Sequence, residues 1–156
     1  MAKNKISPQK GSNTSGAVNR GIVVSRSAAQ TRALGKAFAG RLKAGDTVFI
    51  EGEVGSGKTT LVQGIARGMG VRGAVRSSSF ILINEYRAKE SVPLFHVDLY
   101  RLHGDDISML GLDDYRYAAG IMLIEWPCLL RRAGRRPSWE IRMKWKSDNE
   151  RVIEIK

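Results

Sequence analysis

Residues 52–59 read Gly-Glu-Val-Gly-Ser-Gly-Lys-Thr, which fits the pattern G-x-x-x-x-G-K-[ST]. A loop of this kind restricts the fold severely. Its glycines let successive backbone N–H groups converge on an anion without Cβ clashes, and the helix that follows adds its positive end. Such a loop must therefore join a buried strand to a helix. The flanking sequence supplies both: the apolar run Thr47-Val48-Phe49-Ile50 precedes it, and Leu61, Ile65 and Met69 follow at helical spacing. The candidate nucleotide-binding residues are thus Gly52, Glu53, Val54, Gly55, Ser56, Gly57, Lys58, Thr59 and Thr60. In this chemistry Lys58 reaches the β- and γ-phosphates, and the Thr59 hydroxyl ligates Mg²⁺.

With 156 residues and 42% apolar composition, the chain is sized for one folded domain with one core. No apolar stretch approaches the roughly 20 residues of a membrane span. The first 20 residues carry four basic side chains, no acids and no apolar run, and read as a flexible polar tail rather than a secretory leader. The folded domain is expected over 21–156. Cys128 is the single cysteine, so an intrachain disulfide is impossible and a reducing cytoplasm fits. The net charge of +11 is uneven. Residues 131–156 hold nine basic and four acidic side chains, while 21–130 nearly balance at thirteen and eleven. Basic ends attract RNA or acidic protein surfaces, although no RNA-binding motif is present.

The pattern along the chain predicts a short strand at 22–25, then a helix over 27–42 with Leu34, Phe38 and Leu42 on one face and Ser25 or Ser27 as its cap. A strand at 47–51 leads into the glycine loop and a helix to about Met69. Segments 80–86 and 92–98 read as a hairpin, 105–117 as polar chain with short helical pieces, and 129–132 as a helical turn. Gly120 to Ile124 is a compact apolar run, the mark of a buried parallel strand. Trp139, Ile141, Met143 and Trp145 alternate with Glu140, Arg142 and Lys144, as in a half-buried strand, and 151–155 is its expected partner. The fold class is α/β: a single phosphate-loop domain with central parallel strands and antiparallel additions. Its site belongs at the carboxyl ends of the central strands.

Two acids meet that requirement. Glu125 ends the apolar run Ile121-Met122-Leu123-Ile124, where such a carboxylate holds Mg²⁺ directly or through water. Asp98 ends the segment 92–98, in alternation with His96 and Tyr100. It either orients the attacking water, accepts its proton or shares the metal shell, or else has a structural role, pairing with Arg101 or capping the next turn. Lys58, Asp98 and Glu125 are the candidate catalytic set, and Thr59, Glu125 and Asp98 the candidate metal set. His96 reads as a packed, hydrogen-bonded histidine; a zinc site with Asp98 and His103 lacks ligand spacing. Ser77-Ser78-Ser79 reads either as a plain loop or as a switch loop in which one hydroxyl senses the γ-phosphate or Mg²⁺, and Trp126 either stacks on adenine or a partner, or packs into the core. No guanine-reading N-K-x-D is present; Trp145-Lys146-Ser147-Asp148 comes nearest, which favours ATP.

Taken in order, these segments resemble the TsaE family, the ATPase of bacterial tRNA threonylcarbamoyladenosine synthesis. The matching pieces are Gly52 to Thr59, Ser77-Ser78-Ser79-Phe80 with Asn84-Glu85-Tyr86, and His96-Val97-Asp98-Leu99-Tyr100-Arg101-Leu102. They continue through Gly111-Leu112-Asp113-Asp114-Tyr115 to Glu125-Trp126-Pro127. The glycine loop is shared by many ATPases; the H-x-D-L-Y-R-L and L-I-E-W-P blocks are particular to this family. The chain departs at Ser78, where the family carries proline, which leaves that loop less restricted. Ser79 keeps a hydroxyl at the family's threonine position. The resemblance implies an ATP- and Mg²⁺-dependent ATPase acting with TsaB and TsaD, slow without them, and meeting tRNA through them. It also carries the catalytic and metal roles onto Lys58, Thr59, Asp98 and Glu125, and a place near the nucleotide onto Trp126.

Two other readings compete. A small phosphate-loop kinase would use Arg131, Arg132, Arg135 and Arg136 as a phosphate-clamping lid, but no acceptor-binding segment is evident. A nucleotide-gated RNA-binding module would bind tRNA whether or not it hydrolyses ATP.

Overall fold

The computed structural model of the chain describes residues 18–76, 83–88, 92–103, 110–117 and 119–156. Seven strands form one mixed sheet, flanked by helices on both faces. In chain order the elements are β1 (Gly21–Ser25), α1 (Ala28–Ala39), β2 (Thr47–Gly52), α2 (Lys58–Gly68), β3 (Ile83–Arg87) and β4 (Pro93–Asp98). Then follow α3 (Leu112–Tyr117), β5 (Ile121–Glu125), α4 (Cys128–Arg132), β6 (Trp139–Trp145) and β7 (Arg151–Ile155). The strands lie in the order β1-β7-β6-β2-β5-β4-β3. β6, β2, β5 and β4 run parallel; β3, β7 and β1 add antiparallel edges. The α/β expectation therefore holds, including the hairpin of β3 with β4 and the pairing of β6 with β7.

Local chemistry explains the elements. The Ser27 hydroxyl caps α1 by accepting from the Gln30 N–H at 3.1 Å. Ser25 instead ends β1, and its hydroxyl bonds to Thr31 and the Ser27 carbonyl. α1 stops at Ala39 rather than 42, where Gly40 weakens further winding. Gly45, at φ +88°, makes the turn into β2. The start of the hairpin is observed at Ile83; positions 80–82 lie outside the described residues.

The period of two in each strand decides what the site receives. Val48 and Ile50 of β2, Ile121 and Leu123 of β5, and Leu94 of β4 pack on the α1–α2 face. Phe49, Met122, Ile124, Phe95 and Val97 pack on the opposite face with Leu130 of α4. By this alternation His96, Asp98 and Glu125 turn toward the face that carries α2. Parallel pairing sets Asp98 beside Glu125 and Glu125 beside Ile50, two residues before the glycine loop.

Candidate functional site

The loop joining β2 to α2 is built around three backbone positions that only glycine adopts freely: Gly52, Gly55 and Gly57, at φ +155°, +79° and +95°. Gly52 also has no room for a side chain, because a Cβ there would lie 2.5 Å from the Met143 carbonyl and 2.6 Å from Ser56 Oγ. A backbone bond from Ser56 N–H to the Glu53 carbonyl, 3.1 Å, closes the turn. Among the described residues, no backbone acceptor takes the N–H groups of Gly55, Gly57, Lys58 or Thr59. Four uncommitted amides at the start of an eleven-residue helix form an anion cradle. The Ser56 hydroxyl, fully buried, is also without a partner.

Lys58, the first residue of α2, folds back over this loop. Its ammonium donates to the carbonyls of Gly52 and Glu53 at 2.8 and 2.9 Å and lies 4.2 Å from the centroid of the Trp126 ring. Burial lowers its pKa, opposed by the charges of Glu125 and Asp98. The next residue, Thr59, donates its hydroxyl to Glu125 Oε1 at 3.3 Å. Glu125, only 2% exposed, meets His96 Nε2 through the same oxygen at 2.9 Å. With the carboxylate ionised, that ring nitrogen donates. His96 is therefore the packed, hydrogen-bonded residue expected from sequence, and its bond aims the Glu125 carboxylate.

Asp98 sits beside this group with part of its surface open. Its Oδ1 accepts from the Tyr100 N–H at 3.0 Å, which caps the turn and leaves Oδ2 without a protein partner among the described residues. Burial raises the Asp98 pKa, with Glu125 adding to the rise and the Tyr100 bond, His96 and Lys58 opposing it. The turn-capping and the solvent-facing readings of Asp98 thus coexist, one on each oxygen. Trp126 follows Glu125 at φ +59°, a conformation costly for an aromatic residue. It lies half-buried between Lys58 and Tyr100, whose ring centroid is 4.9 Å away. Its place is the rim of the loop, packed against the second core cluster.

The structure thus gathers Lys58, Thr59, Asp98, Glu125 and Trp126 at one end of the sheet. Ser79 lies outside the described residues. Two residues not singled out as site members belong here. One is His96, for which alternation with Asp98 was the available signal. The other is Arg151 of β7, whose guanidinium donates to the carbonyls of Ser147 and Glu150 at 2.7 and 3.0 Å and to that of Gly55, in the glycine loop, at 3.3 Å. No sequence spacing signals a contact across 96 positions.

Two of the four arginines that a kinase lid would use are engaged within the domain. Arg131 is held by Glu51 and Glu140, each at 2.7 Å, and Arg135 makes a two-bond pair with Asp113. No group of three His, Cys, Asp or Glu side chains among the described residues makes a metal cage, which removes the zinc alternative with His96, Asp98 and His103. The oxygen set of Thr59, Glu125 and Asp98 fits a hard cation that also takes phosphate oxygens and water, as Mg²⁺ does. No helix of the described residues is long and apolar enough to cross a membrane.

Similarity to known proteins agrees with this geometry. The family described as "Threonylcarbamoyl adenosine biosynthesis protein TsaE" matches residues 25–153. The chain is 38% identical over 124 residues to the tRNA threonylcarbamoyladenosine biosynthesis protein TsaE of Bacillus subtilis, covering 80% of this chain and 77% of that one. It is 43% identical over 97 residues to the protein of that name from Streptomyces coelicolor, covering 61% and 66%. The crystal structure of Bacillus subtilis YdiB superposes with a TM-score of 0.73 at 33% identity, over 90% of this chain and 87% of that one. The chain belongs to the TsaE family of tRNA threonylcarbamoyladenosine biosynthesis proteins.

Proposed function

We propose that this chain binds ATP with Mg²⁺ in the glycine loop and hydrolyses it in the cytoplasm to support threonylcarbamoyl modification of tRNA adenosine beside the anticodon, together with TsaB- and TsaD-like partners. One observation carries the reading. The Lys58 ammonium, the Thr59 hydroxyl and the Glu125 carboxylate converge beside four uncommitted amides, with Asp98 at the neighbouring strand tip.

The residues divide the work. The amides and Lys58 bind the phosphates and fix the γ-phosphoryl group for in-line attack. Thr59, Glu125 and Asp98 are the residues that would hold Mg²⁺, which supplies charge neutralisation at the phosphates when bound. His96 keeps Glu125 in position through its 2.9 Å bond. Asp98 has one oxygen anchored by Tyr100 and the other directed to the site, where it either takes the proton of the attacking water or completes the metal's shell. Val54 and Tyr100, 72% and 55% exposed, line an open cleft with Trp126 at the rim of the loop, a surface for a partner to cover. That fits slow intrinsic turnover completed by a partner.

The test is phosphate release by the purified protein, with and without TsaB and TsaD, and modification of a tRNA transcript in the reconstituted system. Lys58→Ala and Glu125→Ala are each expected to abolish ATP-dependent modification. Survival of modification in both variants would refute the mechanism.

A further inference from the structure

Among the described residues, several cations outside every ion pair lie together in a stripe along α1, α2 and the β3 edge. Glu51 and Glu140 pair with Arg131 and Arg142 on the face that carries α4. Lys146 and Arg26 pair with Glu150, and Lys156 with Glu154, around β7. α1 and α2, in contrast, contain no aspartate or glutamate at all. Among the described residues Arg32, Lys36, Arg67, Arg72 and Arg87 have no carboxylate partner, and all but the half-buried Arg32 are exposed.

These five side chains belong to one surface. α1 and α2 approach closely enough that a Cβ on Gly64 would lie 2.2 Å from the Arg32 carbonyl, and one on Gly68 would lie 2.5 Å from that of Lys36. Arg32 and Lys36, four residues apart, therefore flank the turn of α2 that bears Arg67. Arg67 and Val71 line one cleft; Val71, Arg72 and Arg87 line the next, so the stripe continues from α2 to the β3 edge. Glu85 is the acid that lines that second cleft with Arg72 and Arg87, beyond ion-pair distance of both.

We infer that this stripe is a direct docking surface for the phosphodiester backbone of tRNA. Unpaired, exposed cations in a row release counterions when they meet phosphates, and that gain is what drives backbone binding. Four of the five are arginine, whose planar fork matches phosphate oxygens in two-bond contacts. An acidic protein surface is the weaker fit, because protein interfaces are built on buried apolar anchors. The exposed large apolar residues Ile22, Val23, Val54, Tyr100 and Trp145 all lie on other elements. The stripe is also separate from the glycine loop, so one molecule can hold nucleotide and RNA together. Only the identity of the RNA rests on the proposed function.

The experiment measures binding of an unmodified tRNA transcript to the full chain by fluorescence anisotropy across a salt series. With about four phosphate contacts, affinity should fall roughly a hundredfold between about 50 and 200 mM salt. The variant Arg32→Glu/Lys36→Glu/Arg67→Glu/Arg72→Glu should bind at least about tenfold more weakly, with the salt slope reduced by about one for each cation that no longer meets a phosphate. Arg67→Gln/Arg72→Gln, two exposed sites of little consequence for folding, should give about half of that slope change. Phosphate release by these variants should be unchanged. Lys58→Ala should lose phosphate release and keep tRNA binding, so failure of either reading is visible separately. The inference is overturned if the transcript fails to bind at low salt or if the fourfold variant binds like the parent. It is equally overturned if neutralising Lys3, Lys5 and Lys10 removes binding while the fourfold variant keeps it, or if that variant loses TsaB–TsaD rather than tRNA.

Discussion

Asp98→Asn should make the protein more stable and less active at once. The side chain caps the turn to Tyr100 through Oδ1, and asparagine retains that acceptor. What the substitution removes is a charge held against Glu125 on the adjacent parallel strand. Burial of that charge is the larger penalty, and like charges on neighbouring strands at an effective dielectric of about 20 repel by roughly 2–4 kcal/mol before other charges are counted. The Tyr100 bond, attraction to His96 and Lys58, and the partial exposure of Asp98 offset most of that. A net gain of about 1 kcal/mol is expected, which corresponds to roughly 2–4 °C in Tm for a chain of this size. The pH dependence follows from the raised pKa. The folded protein takes up the Asp98 proton before the unfolded chain does, so the parent gains stability as pH falls through the raised value toward the ordinary one of 3.8. The advantage of Asp98→Asn is therefore full at neutral pH and gone below that ordinary value. Thermal melts at neutral and acidic pH measure this, beside phosphate release, which should drop by about a hundredfold or more while ATP affinity changes little. A variant that is destabilised by a kilocalorie or more at neutral pH, with ATP binding and hydrolysis falling together, would make Asp98 a structural cap and sink the argument.

Two further changes address the scaffold. Gly64→Ala should cost about 3 kcal/mol in chemical denaturation, because the new methyl meets the backbone of Arg32 at 2.2 Å and forces α1 away from α2; an unchanged midpoint would show that the helices slide freely. Arg151→Met should weaken ATP binding about fivefold in titration calorimetry, through loss of a long charged bond of about 1 kcal/mol to the Gly55 carbonyl, with kcat nearly intact; a fall in kcat at constant affinity would instead give Arg151 a role in the reaction itself.

How much of this was legible in the sequence depends on the range of the interaction. Gly52 to Thr59 announced strand, loop and helix together because the constraint is local: positive φ at the glycines and a helix start at Lys58. The strand tips were legible for the same reason. An apolar run ending in Glu125 sets the acid at the end of a buried strand, and alternation fixes its face. Alternation likewise carried β6, where Ile141 and Met143 are buried and Lys144 is exposed. Strand order was not legible. β6 pairs with β2 across about ninety residues, and nothing in either segment names the other. Arg151 was missed on the same ground, since its bond to Gly55 exists only after β7 has joined the sheet. The φ of +59° at Trp126 has no signal in a side chain that ordinarily avoids it.

The site gathers terms that each oppose folding when taken alone. Lys58 is buried to the point that its pKa falls, Glu125 is buried with it, Asp98 is held near a like charge, and Trp126 occupies a strained backbone position. They persist because each offsets another. Lys58 stands over the ring of Trp126 and near both carboxylates, and His96 and Thr59 satisfy the same Glu125 oxygen. Replacing such a cluster with apolar side chains of similar volume is often neutral or stabilising. Stability therefore does not explain it. What the arrangement offers is a set of donors and charges already oriented and partly freed of water, so that a triphosphate and its metal would enter a field that needs little rearrangement. The cationic stripe on α1 and α2 has the opposite character: its charges are hydrated, unpaired and spread over a surface, suited to many weak contacts rather than to one strong one. The sheet keeps the two kinds of charge apart, with oriented groups at the strand tips and exposed ones on the outer helices, so that the proposed chemistry and the proposed docking of a polyanion draw on different cations.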